Sequence, residues 1–221
     1  MKMPWHSRPQ TAESPDEDQP EAPGPRILTH HSPGLEFVLG EASNREPCRV
    51  LDLGPSVSDN LAVMAAFASR VQIVDASGAW LLDGATALTE PDGRVDDLRA
   101  LCPEFAASFN LILTWDVFSY LAPGRAEALM EVIARLSRAD ALLHAIVHCA
   151  DTMPAVPARY RIVDGKYLAY EPITPEVRGT PDLPPAEVEK LLTGFRVEHS
   201  FVLRHGVREY VAVRKVGSGD G

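Results

Sequence analysis

Apolar and polar positions change period along this chain in a regular order. Val50, Leu51 and Leu53 form a short apolar run that stops at Gly54, the pattern of a buried strand ending in a tight turn. Leu61, Met64, Ala65 and Ala68 then recur at helical spacing up to Ser69, and Ser58 stands where an N-cap hydroxyl is wanted. Val71 to Val74 returns to a strand pattern and ends on Asp75. A helical stretch at Trp80-Leu81-Leu82, a Pro91-Asp92-Gly93 turn and a brief strand around Val95 follow, closed by Asp96-Asp97-Leu98. Phe109 to Leu113 reads as another buried strand. It runs into Thr114-Trp115-Asp116-Val117, and the segment ends at Pro123-Gly124. From about Arg125 to Leu136 the pattern predicts an amphipathic helix with Ala128, Leu129, Val132, Ile133 and Leu136 on one face. Ala141 to Val147 is a further apolar strand, and His144 and His148 go with it. Helices alternating with apolar strands specify a parallel sheet covered on both faces.

Past this fifth strand the pattern changes. Tyr160 to Val163, the Asp164-Gly165 turn signal and Lys166 to Tyr170 read as a β-hairpin, an insert at about 155–175. Pro184 to Leu192 predicts a helix with Gly194 just past its end. Phe195 to Leu203 and Glu209 to Arg214, joined at His205-Gly206, are expected as antiparallel neighbours that finish the sheet. At the other end, residues 1–25 are rich in Pro, Glu, Asp, Gln and Ala with few bulky apolar groups, so a disordered tail is expected there. Residues 216–221 are expected to be disordered as well. Order is expected to begin near Ile27. His30 to Leu39 reads as a cap and a short helix lying against the first strand, with the adjacent His30 and His31 in a solvated turn.

With 221 residues and 45% hydrophobic content, the chain suits one core of ordinary size, spanning 27–215. Its formal net charge of -10 and pI of about 5.1 disfavour a general nucleic-acid or membrane-surface role, although a local basic patch remains open. Cys48, Cys102 and Cys149 are odd in number, widely spaced and without a metal-ligand rhythm. A reduced, cytoplasmic protein without a metal site is the expectation. No signal-peptide or membrane-span pattern is present in the sequence.

Ligands on parallel sheets sit at the carboxyl ends of the strands, which places Gly54, Asp75, Asp97, Asp116 and His148 along one rim. A glycine turn lets a ligand approach the backbone, and an acid about 20 residues on accepts from ribose hydroxyls, so Gly54 and Asp75 suit a nucleoside. A strand-terminal acid with a structural role is the alternative. Acids at Asp96 and Asp97 suit an adenine amino group or a solvated loop equally. A base is optional for the chemistry, and Asp116 and His148 are the candidate catalytic residues for it from their rim positions, with Tyr160, Tyr167 and Tyr170 a candidate aromatic lid. The plainer roles are helix capping for Asp116, an ordinary strand-end position for His148 and hairpin packing for the tyrosines.

From Arg49 to Lys215 these motifs resemble the class I S-adenosylmethionine-dependent methyltransferases. Val50-Leu51-Asp52-Leu53-Gly54 resembles that family's first motif and Ile73-Val74-Asp75-Ala76-Ser77 its second. Asp97-Leu98, Phe109 to Leu121, Gly194-Phe195 and Glu209-Tyr210-Val211 fall where the later ones recur. The resemblance implies an α/β fold, a three-layer doubly wound, mostly parallel seven-stranded sheet with a C-terminal antiparallel hairpin. It implies S-adenosylmethionine as cofactor, held by Asp52, Gly54, Ser56, Asp75, Ala76, Asp97, Leu98 and Trp115. The chain departs from the pattern at Ser56 and Ser58, where glycine is usual, at Pro55, which lacks an N–H, and at Asn110, where aspartate is common. An Asn-Pro-Pro-Tyr type of motif is missing at Thr114 to Val117, which argues against DNA bases and protein amides and leaves a small or unidentified acceptor. Two other readings stand beside this one. A catalytically inactive binding or scaffold protein would suit the altered turn. NAD chemistry is disfavoured, because a pyrophosphate needs convergent amides and Asp59 would face it with a negative charge.

Overall fold

A computed structural model describes residues 27–76, 98, 104–204 and 206–215. The predicted tails, the Trp80 helix, the Val95 strand and Asp97 lie outside the described residues. Phe109–Trp115 (β4) is buried at all seven positions and forms the centre of the main sheet. Arg49–Asp52 (β2) pairs parallel with it on one side and carries Arg70–Ile73 (β3) beyond. On the other side lies the parallel strand Ser137–His148 (β5). Val207–Arg214 (β11) runs antiparallel to β5, and Phe195–Val202 (β10) runs antiparallel to β11. The order is β10-β11-β5-β4-β2-β3, so β11 alone opposes the common direction. This is a Rossmann-like α/β sheet, with six strands among the described residues.

Alternation along the strands divides the core in two. Leu51, Ile112, Leu143, Ala145 and Tyr210 face one layer, with Leu129, Ile133 and Leu136 of the helix Pro123–Leu136 (α3) and Val188 of Pro185–Leu191 (α4). Val50, Leu111, Leu113, Leu142, Ile146 and Val211 face the other, under Leu35, Val38, Leu39 and Ala42 of Pro33–Ser43 (α1). Gly194 has φ +82, which favours glycine, and the Arg214 guanidinium donates to its carbonyl at 2.8 Å.

The structure corrects several local expectations. Ser58 does not cap a helix: it opens Ser58–Ala65 (α2), with Val57 at the N-cap position and no side-chain cap bond. Only Asn60 and Met64 of α2 are buried, and Leu61 is exposed. The helix α1 packs chiefly on β4, β5, β10 and β11, on the same face of the sheet as Val50 of the first predicted strand. His30 and His31 are not in a solvated turn. They belong to a short strand, Leu28–His31 (β1). This strand pairs with Tyr167–Glu171 (β8), the second arm of the hairpin begun by Arg159–Val163 (β7). The turn has three residues, because Val163 pairs with Tyr167, and Asp164 and Gly165 both have positive φ. The insert is also larger than predicted: Thr152–Pro154 (β6) and Val177–Gly179 (β9) pair outside the hairpin. Nothing in sequence periodicity marks β1, β6 or β9, since strands of three or four residues carry too few alternations to be read.

Candidate active site

Parallel strands bring Gly54, Asp75, Asp116 and His148 to the same edge of the sheet. The β2 and β3 ends stay zipped past the strands, through Val74 N donating to Asp52 O at 2.8 Å and Ala76 N to Leu53 O at 2.9 Å. The Gly54 turn and Asp75 are therefore neighbours. Asp75 and Ser56 are exposed, while Ala76 and Leu98 are fully buried within the apolar core.

Asp52 is buried and engaged. One of its oxygens, Oδ1, accepts from Trp115 Nε1 at 2.6 Å and from Gly54 N at 2.9 Å. Trp115 has φ +50, a left-handed conformation that is rare for a bulky residue and that turns its indole across β4's end. A Cβ at Gly54 would lie 2.5 Å from Trp115 Nε1. The glycine admits the indole. The indole in turn stacks on Tyr160 of β7 at 5.6 Å and an interplanar angle of 9°. Two residues expected to hold a cofactor, Asp52 and Trp115, thus hold each other.

Burial pushes the Asp52 carboxyl up to about 6, the Trp115 and Gly54 hydrogen bonds hold it down in part, and Asp75 adds repulsion. A carboxyl raised in the folded state contributes stability that is present below its unfolded value and lost as pH rises through the folded one. Asp52→Asn keeps an acceptor for both bonds without the charge. It should gain up to about 3 kcal/mol at neutral pH and little in acid, since each tenfold change in proton affinity is worth roughly 1.4 kcal/mol. Urea unfolding at acid and neutral pH checks this, and equal stability of parent and variant at neutral pH would refute it.

Asp116 is the hub of a second buried cluster. Its Oδ2 accepts from Ala158 N at 3.3 Å and Tyr160 Oη at 3.2 Å, and lies 3.2 Å from His148 Nε2. An ionised carboxylate can only accept, so against a charged Asp116 it is His148 Nε2 that carries the proton. In the neutral ring Nδ1 then keeps its lone pair. The Ser119 hydroxyl receives the His148 backbone N–H at 3.0 Å. Burial first, then the Asp116 charge, pushes the Tyr160 phenol far up, so it stays a donor. His148 also lines a cleft of about 440 Å3 with Cys149, Asp151, Thr180 and Arg208.

The sequence-derived rim is thus split in space into Gly54 with Asp75, and Asp116 with His148, and Trp115 and Tyr160 stand between them. The three-tyrosine lid is not assembled. Tyr160 is buried and Tyr170 packs on it at 5.6 Å, but Tyr167 is exposed and meets His31. Sequence reasoning missed Asn60, whose amide donates to Tyr160 O at 2.9 Å and accepts from Ile162 N at 2.7 Å, and so holds β7 against α2. It also missed a buried group on the α1 face of the sheet. There Glu209 accepts from Ser32 Oγ and from Gly34 N at 2.9 Å, and lies 3.3 Å from His144 Nε2. Strand parity was the available signal, because Glu209 shares its face with the inward Val207 and Val211.

No family model matches this sequence, and no curated protein does. Among solved structures the chain is similar to the Burkholderia thailandensis 1,6-didemethyltoxoflavin-N1-methyltransferase with bound 1,6-didemethyltoxoflavin and S-adenosylhomocysteine. The identity is 20%, covering 82% of this chain and 77% of that one, with a TM-score of 0.46. It is also similar to an S-adenosylmethionine-dependent methyltransferase from Clostridium acetobutylicum, at 10% identity, 83% and 92% coverage and a TM-score of 0.49. What this chain is similar to, in these comparisons, is methyltransferase structures.

Proposed function

We propose that the chain is an S-adenosylmethionine-dependent methyltransferase acting on a small protic molecule. The observation that carries this reading is the exposed Asp75 beside the Gly54 turn, at adjacent carboxyl ends of a parallel sheet. A carboxylate there suits a ribose diol, which offers two donors to an acceptor-only group. The fit is one-sided. The ribose side suits the residues present, whereas the face of the Gly54 turn is covered by the Trp115 indole in the conformation described.

When bound, the cofactor would supply a methyl group already activated on a sulfonium. The chain's part is to align the acceptor, exclude water and take a proton. His148 suits the last task, with Nε2 tied to Asp116 and Nδ1 left to accept. A base of that kind serves a hydroxyl or a ring N–H, whose proton must leave as the nucleophile reacts. The cleft that His148 lines has the volume of an ordinary small-molecule site.

Titration calorimetry with S-adenosylmethionine and with NAD tests the reading. Saturable binding of the first alone supports it, and binding of NAD alone, or of neither, overturns it. Asp75→Ala should weaken S-adenosylmethionine binding by about 1.5–3 kcal/mol, the usual worth of hydrogen bonds to a charged group. Unchanged affinity in the folded variant would remove Asp75 from the site. One observation favours a second reading, a binding protein of the same fold without catalysis. Trp115 and Pro55 together leave the turn with an occupied face and one backbone donor fewer.

A further inference from the structure

The geometry points to a gate: Trp115 is a resident occupant of the Gly54 turn, and the β7–β8 hairpin holds it there, so a ligand can seat on the turn only by displacing both. Four contacts close a loop. The Trp115 indole lies against Gly54, where even a methyl group would not fit. Tyr160 covers the outer face of that indole in a parallel stack. Tyr160 lies on β7, and Asn60 fixes β7 through both ends of its amide. Asn60 in turn sits on α2, the helix that opens directly after the turn. Moving the indole outward therefore pushes on Tyr160, whose backbone the Asn60 bonds hold and whose hydroxyl is tied to Asp116 Oδ2 at 3.2 Å. Trp115 itself sits in a left-handed conformation unusual for an aromatic residue, a strain that the surrounding contacts hold in place.

The exchange also sets a chemical condition on the ligand. When the indole leaves, the buried Asp52 loses its shortest hydrogen bond and, among the described residues, keeps the Gly54 amide. A carboxyl group buried without its donors is costly. The group that replaces the indole must therefore be a hydrogen-bond donor, and a purely apolar group of the same size is rejected. The proposal rests on the methyltransferase reading only for its choice of S-adenosylmethionine as probe ligand.

The test uses the full chain with Trp5→Phe and Trp80→Phe, which leaves Trp115 as its single tryptophan. Without ligand, acrylamide should quench Trp115 poorly. Quenching should rise severalfold in Asn60→Ala, or in Tyr160→Leu should the first variant fold badly. Unchanged quenching in both overturns the gate. With ligand, saturation by S-adenosylmethionine should raise Trp115 exposure in the same way, and saturable binding that leaves quenching unchanged also overturns it. Asn60→Ala should bind about tenfold more tightly than the parent, because the closed population no longer competes. If neither parent nor variants bind millimolar S-adenosylmethionine, the methyltransferase reading fails, and the ligand-free quenching still decides whether the hairpin holds the indole.

Discussion

Glu209→Ala is expected to remove about 3–5 kcal/mol of stability, the cost of deleting one partner from a buried charged network. Glu209 is fully buried, and its two oxygens take the Ser32 hydroxyl, the Gly34 amide and the His144 ring. Alanine would leave all three polar groups in the α1 layer without an acceptor. One of them, the Gly34 amide, belongs to the first turn of α1, where an anion is favoured in any case. The loss should also spread. Ser32 follows β1 directly, so freeing it loosens the strand that borders β8 and with it the small sheet that carries Tyr160. Burial pushes the Glu209 carboxyl up, but the hydrogen bond and attraction of His144, with the Ser32 and Gly34 bonds, outweigh it and hold the group below its ordinary value. A carboxyl lowered in the folded state contributes stability above its unfolded value and loses it as pH falls through the folded one. Acid should therefore erode the parent more than Glu209→Gln, which has no such charge to lose. Denaturant unfolding at neutral and acid pH measures both effects. A loss under about 1 kcal/mol for Glu209→Ala at neutral pH would be that of an ordinary substitution and would contradict the network.

The second large effect belongs to His148. His148→Ala should lower kcat for methyl transfer to a phenolic acceptor by about 10²–10⁴, the range of a positioned general base, and leave cofactor affinity near that of the parent. Release of S-adenosylhomocysteine with a panel of small phenols gives kcat and KM separately, and calorimetry gives the affinity. Asp116→Asn should move kcat in the same direction through the orientation of the ring, since Asp116 reaches His148 Nε2 and not the cleft side. Turnover by His148→Ala at the parent's rate would exclude the histidine from the chemistry. Equal losses of affinity and rate would point to a packing role, because the His148 ring also meets the edge of Tyr120.

Most of the fold was legible in the sequence. The apolar runs at β2, β4 and β5, the helix α3 and the glycine past α4 lie close to where periodicity and turn chemistry put them. Each of those signals is local: a buried strand repeats every second residue and a helical face every third or fourth, so neighbours in sequence already encode them. The acids and histidine at strand ends were legible for the same reason, because parallel strands share one carboxyl edge. Their partners were not. Asp52 and Trp115 are 63 residues apart, and Glu209 and Ser32 are 177 apart. No period links such positions.

The sequence by itself thus determined the alternation of elements, the direction of most strands and the rim on which polar residues gather. The tertiary structure decided what each of those residues touches. Strand order and register set β4 beside β2, and only then does an indole at the end of one meet a carboxylate at the end of the other. β1 shows the same division. Its four residues pair only because β8 offers an open edge, so its hydrogen bonds come from a distant segment and leave no mark on its own pattern. Even Gly54, the clearest single signal in the chain, has a meaning that only the fold supplies. Its missing side chain marks a close approach, and the group that approaches in this structure is the protein's own Trp115.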